Sequence, residues 1–402
     1  MSQSKLLGST LIIAGTTIGA GMLALPLASA GIGFSVSLMM MVILWAVMAF
    51  TALLMVELHQ YAASDATLHT LSEQILGTKG RWIASFAMCF LFYALCAAYI
   101  AGGGAQFAVR LEQWFDWQLT PQAANTLFTL IVATVVAVGT ATVDKVNRVL
   151  FTLKLLAMAL VLFFLAPNVT GQYLLNMPLG QGLVVAALPV IFTSFGFHGS
   201  IPAIVRYLEG DTPALKKAVV IGSAIPLVIY LFWQIVTLGV VSQQTLITQT
   251  GLGALIAQLG VATQTNGLAQ LVGIFADLAL ITSFLGVSLG LFEFVGDSAK
   301  QTRVLNRVPV VTFITFVPPL LFALYFPQGF ILALGYAAIA LAILAIFLPV
   351  AMVIRVRRDD ERVDERYRVA GGHASLVIVS MMGMAIVVTQ LMISGGLLPA
   401  LG

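Results

Sequence analysis

The chain has 402 residues, 60% of them apolar, with 19 Lys and Arg against 16 Asp and Glu. With a mean hydropathy of +1.03, too little polar side chain remains to cover a water-facing surface, and the abundance of Leu, Val, Ile and Phe excludes a disordered chain. The apolar stretches run unbroken rather than alternating, which excludes a membrane β-barrel and leaves an all-α polytopic membrane protein, one domain over residues 1–402.

Hydropathy predicts 11 transmembrane helices, at about 6–30, 33–58, 82–109, 122–141, 147–166, 178–207, 216–240, 266–295, 308–326, 329–354 and 373–396. Span one ends in Ala28-Ser29-Ala30, which imitates a signal-peptidase site. Its apolar stretch is too long for a signal region and losing it upsets the charge alternation below, so retention is expected. Between spans two and three, Leu68, Leu71 and Ile75 recur at helical spacing, with Thr70 and Glu73 in a capping pattern. A short interfacial helix is predicted over 63–78.

Basic residues segregate. One alternate set of connections holds 17 of the 19: Lys5, Lys79, Arg81, Lys145, Arg148, Arg206, Lys216, Lys217, Lys300, Arg303, Arg307 and six arginines from Arg355 to Arg368. The opposite set holds Arg110 alone, and Lys154 falls inside span five. Because basic connections stay on the cytoplasmic side, the N-terminus is expected in the cytoplasm and the C-terminus outside. Trp114 and Trp117 fit an external aromatic belt. The basic residues are not interleaved with aromatics along a soluble face, so no nucleic acid partner is expected. Cys89 and Cys96 stack two turns apart on one helix face, supporting neither a disulfide nor a metal site.

Two spans are poor helices. Span one reads Ala14-Gly15-Thr16-Thr17-Ile18-Gly19-Ala20-Gly21-Met22, with Pro26 a turn later; span six reads Phe192-Thr193-Ser194-Phe195-Gly196-Phe197-His198-Gly199-Ser200, between Pro189 and Pro202. Small residues commonly serve helix packing. Against that use, two matched anomalies five spans apart parse the chain as two inverted repeats, about 6–170 and 178–356, with span 11 (373–396) appended. Unwound backbone leaves N–H and C=O groups unpaired at bilayer depth unless a cavity or ligand meets them. Such groups suit a zwitterion of zero net charge, since half-helix N-termini offer donors to a carboxylate and C-terminal carbonyls offer acceptors to an ammonium. The candidate substrate-binding residues are therefore Gly15, Thr16, Thr17, Ile18, Gly19, Ala20, Gly21, Phe192, Ser194, Phe195, Gly196, Phe197, His198 and Gly199.

These two runs, with Asp277-Leu278-Ala279-Leu280 leading to Thr282-Ser283-Phe284-Leu285-Gly286, resemble the bacterial hydroxy/aromatic amino acid permeases of the amino acid, polyamine and organocation transporter superfamily, nearly end to end. The resemblance implies a leucine-transporter-like 5+5 inverted repeat with discontinuous helices 1 and 6. It also implies proton symport across the bacterial inner membrane, the C-terminus then being periplasmic. Tyrosine is the substrate it favours, and carriers of tryptophan share much of the motifs. No cofactor beyond a proton gradient and no obligate protein partner are implied; the partners are a small amino acid and the lipid bilayer. An occluding hairpin over the outer vestibule is implied for residues 239–264.

Charges inside spans carry the coupling candidates, since each costs about 2.5–3.5 kcal/mol at a helix centre on insertion scales. Lys154 lies about 8 residues into span five, roughly 12 Å deep, and is expected to bridge span one near Gly15 to Ile18 and span eight near Ser283. In some proton-coupled members of the superfamily a lysine here resembles a fixed replacement for sodium; snorkelling is the structural alternative. Asp277, about a dozen residues into span eight, serves proton coupling, a structural pair or the lining of a cavity. His198 is either a titrating group or a hydrogen-bonded structural histidine. Glu57 and Glu293 are expected to reach water at cytoplasmic helix ends, and loop 355–368 to be a solvated connection. Sodium coupling remains a rival, with Thr282 and Ser283 as oxygen donors. Gly286-Val287-Ser288-Leu289-Gly290 matches the nucleophile-elbow pattern of serine hydrolases but lies inside an apolar helix rather than a strand-to-helix turn, so no enzyme is expected. A passive channel is the remaining rival and would fail to concentrate substrate.

Overall fold

The computed structural model describes residues 3–63, 66–177, 183–249, 251–262, 266–299, 308–359 and 366–401. Every regular element among them is helical: α1 (Gln3–Thr17), α2 (Gly21–Ser29), α3 (Gly33–His59), α4 (Leu68–Phe115), α5 (Pro121–Val138), α6 (Thr140–Leu165), α7 (Gly171–Leu175), α8 (Leu183–Thr193), α9 (Ile201–Tyr207), α10 (Thr212–Val240), α11 (Gln243–Thr248), α12 (Leu252–Ala262), α13 (Asn266–Ala299), α14 (Val308–Tyr325), α15 (Phe330–Ala342), α16 (Leu348–Asp359) and α17 (Gly372–Ser394). A π-helical turn over Ile343–Phe347 joins α15 to α16. Counting α8 with α9 and α15 with α16 as one each, ten helical segments among the described residues are long and apolar enough to cross a membrane, and 11 if α1 and α2, bent by 53°, form one span. Phe86, Phe163 and Met381 stand 70%, 71% and 67% exposed, an outward apolar face that lipid rather than water must cover. The protein is a multi-pass membrane protein.

Small residues set the close approaches. In α4, Gly102, Gly103 and Gly104 lie against Leu280 and Phe330, against Phe128, and against Asn125 respectively, so that a methyl group at Gly104 collides with the Asn125 side chain. Asn125 itself donates to the Ala323 carbonyl at 3.0 Å. α13 packs on both α4 and α6, α1 on α10, and α15 on α4 and α8. The two glycine- and threonine-rich runs therefore meet between these helices, in mid-bundle.

Several local expectations are corrected. The interfacial helix begins at Leu68, and Gly77, at φ 72°, separates it from the rest of α4. Its cap is Thr67, whose hydroxyl accepts from the Thr70 N–H at 3.2 Å, while Glu73 pairs with Arg81 at 3.0 Å. A β-region residue one turn earlier was better placed to cap than Thr70, which is already helical. Lys145 and Arg148 lie within α6, because Gly139 alone, at φ 128°, links α5 to α6. Arg110 is no loop residue: α4 continues to Phe115 and buries it. Lys300, Arg303, Arg307 and Arg362 lie outside the described residues. Of residues 239–264, the described ones end α10 and form α11 and α12, the latter packed on α13 and α2.

Glu57 does not reach water. Both of its oxygens accept from Arg357 at 2.7 Å, one of them also from the Val369 N–H at 2.8 Å, and the two side chains are only 3% and 5% exposed. Gln60 adds two bonds to the backbone of Tyr367, so residues 366–369 are pinned to α3 and part of loop 355–368 is buried structure. Removing one member of such a pair leaves the other charge buried and alone, at a cost of about 3–5 kcal/mol. Glu57→Ala should therefore lower thermal stability sharply in detergent, and the double replacement Glu57→Leu with Arg357→Leu should lower it less.

Candidate functional site

Helical hydrogen bonding stops at Thr17 and resumes at Gly21. Two glycines in a four-residue stretch weaken the helix by about 1 kcal/mol each relative to alanine, and the space around them admits partners from other helices. The Thr17 carbonyl accepts from the Tyr230 hydroxyl of α10 at 2.6 Å, and the Ile18 carbonyl from Lys154 Nζ of α6 at 2.8 Å. The Ala20 N–H donates to Ser283 Oγ of α13 at 2.9 Å. A methyl group at Gly19 would stand 3.0 Å from that same Ser283 oxygen.

The second run behaves alike. α8 ends at Thr193, a turn at Ser194 and Phe195 and two residues without regular structure follow, and helix resumes through a 3-10 turn at His198–Ser200 into α9. Thr193 donates to the Leu334 carbonyl of α15 at 3.0 Å. The Ser194 hydroxyl donates to the Gly21 carbonyl at 3.1 Å, and the Ser194 carbonyl lies 3.1 Å from the Tyr230 hydroxyl. Tyr230 thus stands between the two interruptions and touches a carbonyl of each.

Both interruptions open on one cavity of about 660 Å³. It is lined by Gly15, Thr16, Thr17, Ile18, Gly19 and Gly21 of the first run, and by Ser194, Gly196, Phe197, His198 and Gly199 of the second. Lys154 and Ser283 line it as well. From there it extends past Leu11, Asn147, Arg148 and Gly290 toward the end of the bundle that carries Lys5 and Arg81. Ala20, Phe192 and Phe195 are buried behind the wall, Phe195 packing edge-on against Tyr230 at 5.4 Å between ring centres.

Lys154 is buried, 4.4 Å above the Phe151 ring, and reaches Thr282 Oγ1 at 3.4 Å in addition to the Ile18 carbonyl. The expected bridge from α6 to the first run is present, and its contact on α13 is Thr282, next to Ser283. Asp277 lies apart from the cavity: its Oδ2 accepts from Arg110 Nε at 2.6 Å, and Arg110 also donates to Gln113 at 2.6 Å. A side chain at Gly273 would occupy the place of the guanidinium. Glu293 accepts from Thr140 at 3.0 Å near the surface. Among the described residues no cluster of His, Cys, Asp or Glu could hold a metal ion, and Cys89 and Cys96 are free thiols.

At the end of the cavity that carries Lys5, Lys5 and Glu209 pair at 2.6 Å, tying the start of α1 to the turn after α9. The hydrogen bond and charge of Lys5 hold the Glu209 carboxyl below its ordinary range. Whatever this exposed pair contributes is present above the ordinary carboxylate range, lost as pH falls through the lowered value, and screened by salt.

Sequence reading missed Tyr99 and Phe151 in the cavity wall, and Tyr230 behind it. Tyr99 carries a faint signal as the one polar side chain in Ala97-Ala98-Tyr99-Ile100-Ala101.

The chain belongs to the tryptophan/tyrosine permease family, which it matches over residues 2–390. Its members are transporters rather than enzymes. Tyrosine-specific transport systems 1 and 2 of Haemophilus influenzae are 44% and 42% identical to it, each match covering 99% of both chains. A tryptophan-specific transport protein of Pseudomonas aeruginosa is 31% identical over 99% of this chain and 97% of its own.

Replacing Tyr230 by phenylalanine removes one donor from two buried carbonyls, which costs about 1–3 kcal/mol. Tyr230→Phe should retain the fold with a lowered melting temperature and lose most substrate binding, measured by ligand-induced thermal shift.

Proposed function

We propose that the protein imports an aromatic amino acid, tyrosine foremost, by proton symport with alternating access. The observation that carries this reading is the convergence of two interrupted helices on a single cavity of about 660 Å³, with backbone groups exposed in a helix-rich membrane protein. The similarity to tyrosine-specific systems at 44% and 42% identity supports tyrosine, and the 31% relative named for tryptophan supports an indole substrate as the second reading. α1 with α2, and α8 with α9, are the discontinuous helices 1 and 6 of a leucine-transporter-like 5+5 inverted repeat, in the bacterial inner membrane with the N-terminus cytoplasmic. The cavity then faces the cytoplasm.

The roles follow from the helix ends. α2 begins at Gly21 with no side-chain cap; the Met22 and Leu23 N–H groups already donate to the Gly19 and Ala20 carbonyls, so the Gly21 N–H and the helix dipole take the substrate carboxylate. The carbonyl ends of α1 and α8 accept from the ammonium. The apolar stretch beside Phe197 takes the ring.

Moving a net-neutral amino acid gains nothing from the membrane potential, whereas one accompanying proton gains about 2.3 kcal/mol per 100 mV, roughly a 50-fold accumulation at about 1.36 kcal/mol per tenfold. Lys154 is the coupling residue in this reading. Its ammonium holds the Ile18 carbonyl and the Thr282 hydroxyl, oxygens that a sodium ion would otherwise require, and this supports protons over sodium. Loss of its proton weakens its hold on the Ile18 carbonyl and the Thr282 hydroxyl, leaving the Ala20 N–H to Ser283 bond as the direct tie to α13. Asp277, paired with Arg110 away from the cavity, holds α13 to α4.

Uptake of labelled tyrosine into proteoliposomes under imposed gradients tests the reading. A pH gradient should drive accumulation that tryptophan competes with, and a sodium gradient should not. Lys154→Ala should abolish proton-driven accumulation; undiminished accumulation in this variant would refute its role.

A further inference from the structure

His198 lines the cavity yet is only 3% exposed. Its Nε2 lies 2.9 Å from the hydroxyl of Thr51 on α3, and Thr51 is not part of the cavity wall. The Thr51 hydroxyl has one proton, and the carbonyls of Val47 and Met48 on its own helix, 3.1 and 3.2 Å away, are the acceptors to which we assign it. It therefore meets the imidazole as an acceptor. This network assigns the ring hydrogen to Nε2 and leaves Nδ1 a bare lone pair. A doubly protonated ring would set a cation against Phe197, 5.1 Å between ring centres, with no carboxylate in the cavity wall to balance it.

Nδ1 is buried and has no hydrogen-bond partner among the described residues. Such an atom is costly to leave unpaired, so a buried acceptor beside a binding cavity points to a donor on the occupant. Open space borders the residue, since a side chain added at Gly199, the next residue, would meet nothing within 4 Å, although Nδ1 itself is covered.

We propose that His198 Nδ1 reads the ring substituent of the substrate by accepting a hydrogen bond from it, the phenolic O–H of tyrosine or the indole N–H of tryptophan. The site thereby selects aromatic amino acids that carry a ring donor and rejects phenylalanine. Thr51 is the positioning residue that fixes the tautomer. This inference rests on the aromatic amino acid reading above and adds the group that sets its specificity.

The test measures competition against labelled tyrosine in proteoliposomes of the full chain. On the unmodified protein, phenylalanine and 4-fluorophenylalanine, which fills the space of the hydroxyl but has no proton to give, should bind about 10- to 100-fold more weakly than tyrosine. His198→Leu should bring tyrosine and phenylalanine to within about threefold of each other. His198→Asn, whose carbonyl oxygen stands near the lost Nδ1, should restore the preference. A 4-fluorophenylalanine that competes as well as tyrosine on the unmodified protein overturns the proposal, as does a tyrosine preference that survives in His198→Leu. Should His198→Leu bind nothing, the analogue series on the unmodified protein decides alone. Binding of aromatic amino acids without discrimination sinks only the role of His198, whereas absence of any aromatic binding sinks the functional reading as well.

Discussion

Backbone N–H and C=O groups have no water to turn to at bilayer depth, and each one left unpaired there costs several kcal/mol. Helices meet this constraint silently, which is why every regular element described here is helical. The interruptions at Ile18 and at Ser194 are the points where the silent solution is given up, and the surrounding polar side chains are placed to meet the consequences. Tyr230 serves the Thr17 carbonyl, Lys154 the Ile18 carbonyl, Ser283 the Ala20 N–H and Ser194 the Gly21 carbonyl. These four come from α10, α6, α13 and the second interruption, so three helices and the second run converge on one short segment.

That convergence has a dynamic corollary. Each partner is a single side-chain bond rather than a continued ladder, and single bonds exchange more readily than whole helical turns. The apolar contacts of the rest of the bundle and the buried pairs Glu57 with Arg357 and Arg110 with Asp277 hold fixed geometry elsewhere. A carrier needs both qualities: rigid helices, and a few adjustable links where they pivot.

The all-helical character and the 10 or 11 spans were legible because composition is a local signal, and a lipid solvent punishes exceptions to it. The bridge from Lys154 to the first run was legible for a related reason, since a cation in a span must find oxygen and an unwound segment is the nearest source. The partner residues were not legible. Tyr230 and Thr51 are lone polar residues in apolar helix stretches, Arg357 is one of six arginines in its segment, and Glu57 meets Arg357 across 300 positions of sequence, a distance no periodicity spans. Arg110 was read as a loop residue because its partner, Asp277, lies 167 positions away and nothing nearby announced that α4 continued to Phe115. The cap at Thr67 was missed for a local reason: the pattern Thr70 to Glu73 fits the motif, and only the backbone geometry shows that the helix has begun by then.

The central claim is that the interrupted backbone encloses an amino acid site open to the basic end of the bundle. A single cysteine at Gly199, where a side chain finds open space, with Cys89 and Cys96 changed to serine, reports on it directly. In vesicles exposing that basic end, a membrane-impermeant maleimide should label this cysteine, and tyrosine should protect it at concentrations that saturate uptake. Absence of labelling from that side, or labelling that tyrosine leaves unchanged, would contradict the account.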